Sequence, residues 1–155
     1  MRLIAFLLLT SICATGSAAA DSCDAVTSAL LKGLRAPWHS TATLTVIGRE
    51  TRSYEVINTA DETFQREDKG VWKEKLRHLD LDEAQIRRDW ANSASCRDGG
   101  KETLGSESAV VVWHRQDTRY WISEASGLIL KSETVRRPAT LTTTYAYDNV
   151  APPPQ

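Results

Sequence analysis

The chain has 155 residues, of which 41% are hydrophobic and 25% charged, with 19 basic against 20 acidic side chains and a formal net charge of −1. That balance suits a folded domain and argues against nucleic acid, whose binding needs a concentrated positive surface. The pairs Arg87-Arg88 and Arg136-Arg137 accordingly read as solvated faces.

Met1 and Arg2 precede an apolar run from Leu3 to Leu9, which fades into small residues over Ala14–Ala20. This is the pattern of an export signal, with cleavage expected after Ala20 and a periplasmic or secreted mature protein. The run has seven residues, far short of the roughly 20 needed to span a bilayer, so no integral membrane protein is expected. Cys13 follows Thr10-Ser11-Ile12, and the bulky Ile12 sits where an acylated cysteine would want a small residue, so no lipid anchor is expected. Cleavage would remove Arg2 and Cys13, leaving 18 basic against 20 acidic side chains and two cysteines, Cys23 and Cys96. One cysteine pair in an exported chain suggests one disulfide. The two lie 73 residues apart, and closing so long a loop stabilises by about 4 kcal/mol on the loop-entropy account.

From Asp21 the recurrence of Val26, Leu30 and Leu34 every four residues predicts an amphipathic helix, capped by Asp21 or Ser22 and stopped by Pro37 near Arg35 or Ala36. Ser40–Ile47 then alternates, with Ala42, Leu44 and Val46 on one face and threonines on the other, which predicts a strand. Turn signals at Gly48 and at Asp68-Lys69-Gly70 separate further strands at Tyr54–Ile57, Glu62–Arg66 and Val71–Leu76, the last carrying Trp72. Between Leu79 and Ala94, Ile86 and Trp90 fall four apart behind capping candidates Asp80 and Asp82, predicting a shorter helix. Ser93–Gly100 is polar and glycine-bearing and reads as a loop holding Cys96. Strands return at Ser108–His114, Arg119–Ser123, Leu128–Val135 and Leu141–Tyr147, and Glu124–Gly127 forms a hairpin turn.

The expected fold class is α+β: about eight strands in a mostly antiparallel curved sheet, an incomplete barrel, with two helices covering its concave face. Residues 21–150 form one domain after the leader of residues 1–20, and the proline-rich tail of residues 151–155 is expected to be extended or disordered. A Cys23–Cys96 bridge would staple the two helices together on one face of the sheet.

No catalytic or cofactor motif stands out. His39, His78 and His114 lack the spacing of metal ligands, and the serines near Gly105 and Gly127 sit in turns rather than in a GxSxG elbow. Neither glycine pattern follows a strand and opens a helix, so no nucleotide is implied. Asp80-Leu81-Asp82-Glu83 reads as a helix cap before it reads as a calcium site. Five tryptophans and four tyrosines remain, suited to core packing or to the lining of a groove.

Arg119-Tyr120-Trp121-Ile122-Ser123-Glu124-Ala125-Ser126-Gly127-Leu128-Ile129-Leu130-Lys131 resembles the aromatic-Trp-Ile-Asp, turn, Gly-Leu hairpin of the bacterial lipoprotein-localisation superfamily, LolA, LolB and RseB. Tyr145–Pro152 is similar to the closing strand and tail of that family. Ser123 stands at the usual aspartate and Ile129 where proline is common, and the family's lid arginine and membrane loop have no counterpart here. The resemblance implies a non-catalytic protein with no cofactor, binding a lipid or other apolar ligand or sensing lipoproteins. Val26, Leu30, Leu34, Leu44, Val46, Trp72, Leu141 and Tyr145 are the candidate cavity-lining residues. Two alternatives stand beside it: an envelope interaction module with a filled core and a protein partner, and a small hydrolase in which a histidine meets a nucleophile.

Overall fold

The computed structural model describes residues 18–75, 83–90 and 95–154. Helix α1 (Ala18–Arg35) leads into strands β1 (Trp38–Val46), β2 (Arg52–Asn58), β3 (Thr63–Glu67) and β4 (Lys73–Lys75). Helix α2 (Glu83–Trp90) follows, then β5 (Cys96–Leu104), β6 (Glu107–His114), β7 (Thr118–Ser123), β8 (Ile129–Arg136) and β9 (Ala139–Ala146). The leader up to residue 17 and the flanks of the expected second helix, 79–82 and 91–94, lie outside the described residues.

All nine strands form one antiparallel sheet in the order β4-β3-β2-β1-β9-β8-β7-β6-β5, curved and not closed into a barrel. Two meanders, β1 to β4 and β5 to β9, are thus joined edge to edge by β1 and β9, whose register sets Thr41 opposite Thr144, Thr43 opposite Thr142 and Thr45 opposite Thr140. Alternation turns these six threonines outward and Ala42, Leu44, Thr143 and Leu141 inward. β-Branched cross-strand pairs of this kind hold a central ladder without needing burial.

Helix α1 lies across β5 to β8 on the inner face. Val26 and Ala29 are fully buried there against Cys96, Val112, Ile122 and Ile129, and Leu30, Trp90, Tyr120 and Tyr145 close the margin. α2 packs beside α1, where Arg35 pairs with Glu83, and buries Ile86.

The stretch read as a loop around Cys96 is instead the edge strand β5. Its residues other than Cys96 are mostly exposed and show no hydrophobic alternation, so the sequence carried no strand signal. Pairing with β6 makes it a strand, and a bulge between Asp98 and Lys101 interrupts the register. At that bulge Gly99 is packed so closely on Val111 that an added Cβ would fall 2.8 Å from its Cγ1. The Cys23–Cys96 disulfide therefore ties α1 to the sheet edge, not helix to helix, with Cα atoms 5.3 Å apart.

The family-like hairpin closes as expected, with Gly127 at φ 67°. Ser123 substitutes for the usual aspartate in kind: its Oγ accepts the Ser126 N–H at 2.9 Å and donates to Glu107.

Candidate functional site

Strand register defines rows of side chains crossing the inner face. One row runs Leu44, Leu141, Thr134, Thr118, His114 and Cys96, and the next runs Ala42, Thr143, Ser132, Tyr120 and Val112. α1 covers the Cys96 and Val112 end of these rows, where the space beneath it is filled by the core. Toward β9, β1 and β2 the helix cover ends, leaving Ala42, Leu44, Val46 and Val56 half-buried and Leu141 39% exposed.

Two clefts open on the inner face, the first on β1 and β2 beyond the helix and the second on β6 to β8 beside α2. The first, of about 760 Å³, has Leu44 and Val46 as its floor and a charged rim that includes Arg49, Arg52 and Glu67, with Arg52 Nη1 3.2 Å from Glu67 Oε1. The second, of about 480 Å³, has Thr118, Tyr120 and Thr134 as its floor, Trp90 and His114 as a wall, and Arg115 and Arg136 at its edge. Leu141, paired with Leu44 on one side and Thr134 on the other, lies between them in the same row, and the row with its two clefts is called the trough. From β1 to β7 the row crosses three strand spacings, about 14 Å.

The second cleft is the more constrained end. Trp90 lies over His114 with ring centroids 4.1 Å apart and meets Tyr120 edge-on at 5.5 Å. Burial, with Arg115 next, holds His114 below the usual imidazole range, and burial pushes the Tyr120 phenol up to about 12. Asp117 is held below the ordinary carboxylate range first by the Arg136 hydrogen bond, Nε to Oδ2 at 2.7 Å. A floor that is aliphatic at Leu44, Val46 and Leu141 and mixed at Thr118, Tyr120 and Thr134, with charged groups of both signs at its ends, suits an elongated amphipathic ligand held by contact and charge. Among the described residues no group of three or more histidine, cysteine or acidic side chains could hold a metal ion.

The structure distributes the sequence-derived candidates among three places. Leu44, Val46 and Leu141 come together in the trough. Val26 lies in the core, with Leu30 and Tyr145 at its margin, Tyr145 meeting Trp38 edge-on at 6.0 Å, and Leu34 is half-buried on α1. Trp72 is on the outer face, its ring under the guanidinium of Arg66 at 4.5 Å, and Arg66 pairs in register with Glu55 on that face. Thr118 and Thr134 were not foreseen as site residues, whereas Trp90 was among the aromatics suited to core or groove and His114 among the histidines of the hydrolase alternative. Trp90 and His114 are 24 residues apart in sequence, and only the docking of α2 on β6 brings them into contact.

No family model matches the chain, and no curated protein matches it by sequence. Solved structures do. The MucA/MucB complex of Pseudomonas aeruginosa aligns with 16% identity over 86% of this chain and 61% of that one, with a TM-score of 0.55. The lipoprotein LppX of Mycobacterium tuberculosis aligns with 10% identity over 85% of this chain and 99% of that one, at a TM-score of 0.51. LprF of Mycobacterium bovis aligns with 10% identity over 90% and 99%, at 0.50. The chain spans about three fifths of the matched MucB chain. These likenesses, all under 25% identical, show a shared fold.

Proposed function

We propose that the protein is a non-catalytic binding protein of the cell envelope whose inner-face trough receives a lipid or another apolar-chain amphiphile. The observation that carries this reading is the Leu44–Leu141 pair, two leucines set opposite each other on central strands against which, among the described residues, neither helix packs. An apolar floor left half in water on an otherwise well-packed sheet gains free energy when a ligand covers it. Arg49 at one end and Arg115 at the other, beside the ion-paired Arg52 and Arg136, would meet an anionic headgroup. The leader-like N-terminus and the disulfide support export, and among the described residues no helix is long and apolar enough to cross a membrane. Because the core beneath α1 is filled and α1 is fastened to β5, the site is a static trough for one chain rather than a hinged cavity for large cargo.

Native mass spectrometry of protein recovered from the envelope, with uptake of a fluorescent fatty acid, tests the reading. A retained lipid mass and probe uptake that Leu141→Glu abolishes are expected. A bare chain with no uptake overturns it. A second reading, an interaction module with a protein partner, is favoured by the filled core and by the fold's occurrence in MucB, which is solved in complex with MucA. It predicts co-purification of an envelope protein that Leu141→Glu releases, without any lipid mass.

A further inference from the structure

On the outer face, opposite the trough, Phe64, Val71 and Trp72 look across a cleft of about 630 Å³ at Pro152, Pro153 and Pro154. The cleft is walled by rigid apolar groups. Proline rings offer apolar surface without losing side-chain freedom, and Trp72 is held in place by Arg66, 4.5 Å above its ring. Arg66 is itself committed, donating to both carboxylate oxygens of Glu55 at 2.8 Å. That contact holds the Glu55 carboxyl below its ordinary range.

Two features of this cleft are unspent. Val71 is 85% exposed, an aliphatic side chain left in water at the rim. Glu62 and Glu74 also line it, and among the described residues neither carboxylate has a cationic partner. An aromatic and proline wall with carboxylates at its edge is complementary to a cation on an apolar stem, which is the chemistry of arginine and lysine side chains. The cleft is open on one side, so it cannot enclose the 70–90% or so of a small molecule's surface that such ligands need buried. An extended peptide overcomes that by making contacts along its length.

We propose that this outer cleft docks an extended segment of a partner protein bearing arginine or lysine. The cation sits at the Glu62 and Glu74 carboxylates and its methylene stem lies against Phe64, Val71 and Trp72. The site is separate from the trough, being on the other side of the sheet, and does not depend on the trough binding anything.

The test is an NMR titration of the Trp72 indole N–H, assigned by its loss in Trp72→Phe, with acetyl-Pro-Arg-Pro-amide and its Pro-Glu-Pro counterpart as probes. The arginine peptide is expected to shift the resonance in a saturable way and the glutamate peptide to leave it unmoved. Glu62→Gln with Glu74→Gln, both surface changes, should weaken the arginine peptide about tenfold, the loss of two exposed charge pairs. Leu141→Glu should leave the titration unchanged, whatever it does to lipid uptake. Equal shifts with both peptides, no shift with either, or unchanged affinity in the double glutamine variant overturns the proposal. A titration lost in Leu141→Glu overturns its separateness from the trough.

Discussion

The half of the sheet made by β5 to β8 and the half made by β1 to β4 are built from the same kind of strand but finished differently. The first is covered on both faces except at the cleft beside His114, Thr118 and Thr134: α1 lies across it inside, and outside a ladder of Arg97, Trp113, Arg119, Trp121 and Lys131 stacks cations on rings at 4.4–4.9 Å. Trp121 is only 1% exposed there, without any helix above it, because long charged side chains lie over it and Glu102 accepts its indole N–H at 2.7 Å. Among the described residues, the second half carries neither a helix nor such a ladder. Its inner face offers Leu44 and Val46 to a trough, and its outer face offers Phe64 and Trp72 to a cleft. The first half supplies most of the buried core, and the second supplies most of the accessible surface.

The contrast is sharpest at the disulfide. Cys23→Ser with Cys96→Ser should cost about 4 kcal/mol in chemical denaturation, and hydrogen exchange should rise first in α1 and β5 rather than in β1 and β2. Equal loss of protection in both halves would break the division drawn between them. Trp121→Ala removes the centre of the outer cover and should cost about 3–5 kcal/mol, whereas Trp72→Ala, in the open half, should cost well under that in the same denaturation series. Leu141→Ala should cost less than about 1 kcal/mol, because its side chain is already partly in water, yet it should weaken fatty-acid uptake measurably. If Leu141→Ala destabilises as a core leucine does, the trough is structural and not a site.

Acidification gives the smallest effect and probes the cleft at the end of β6, inside the first half. Folded His114 holds its proton less tightly than the unfolded chain does, because burial disfavours the charged form. Its contribution is therefore unaffected above about pH 6.5, and stability falls as the pH drops from there toward the lowered folded value. His114→Gln should flatten that part of the stability profile measured by thermal melts, and an unchanged slope would show that His114 is not the group responsible.

Legibility followed pattern. Trp38–Val46 could be read because Ala-Leu-Val alternating with threonine is a period-two signal, and α1 because Val26, Leu30 and Leu34 recur on one stripe. β5 could not be read, since Arg97-Asp98-Gly99-Gly100-Lys101-Glu102 has neither period nor apolar content and becomes a strand only by pairing with Val110 and Val112. Trp72 shows the limit for sites: its residue type was noticed, but its face depended on where Lys73–Lys75 begins, and one residue reverses the side.

The sequence by itself determined the cysteine pair, the α+β class and the Glu124–Gly127 hairpin, because each is written in local order: a count, a period, a turn. Which half of the sheet the helices cover was decided only by the tertiary structure. That choice depends on Cys23 reaching Cys96, on α2 setting Trp90 against His114, and on β1 pairing with β9 about a hundred residues away, and contacts so distant leave no mark in the local pattern.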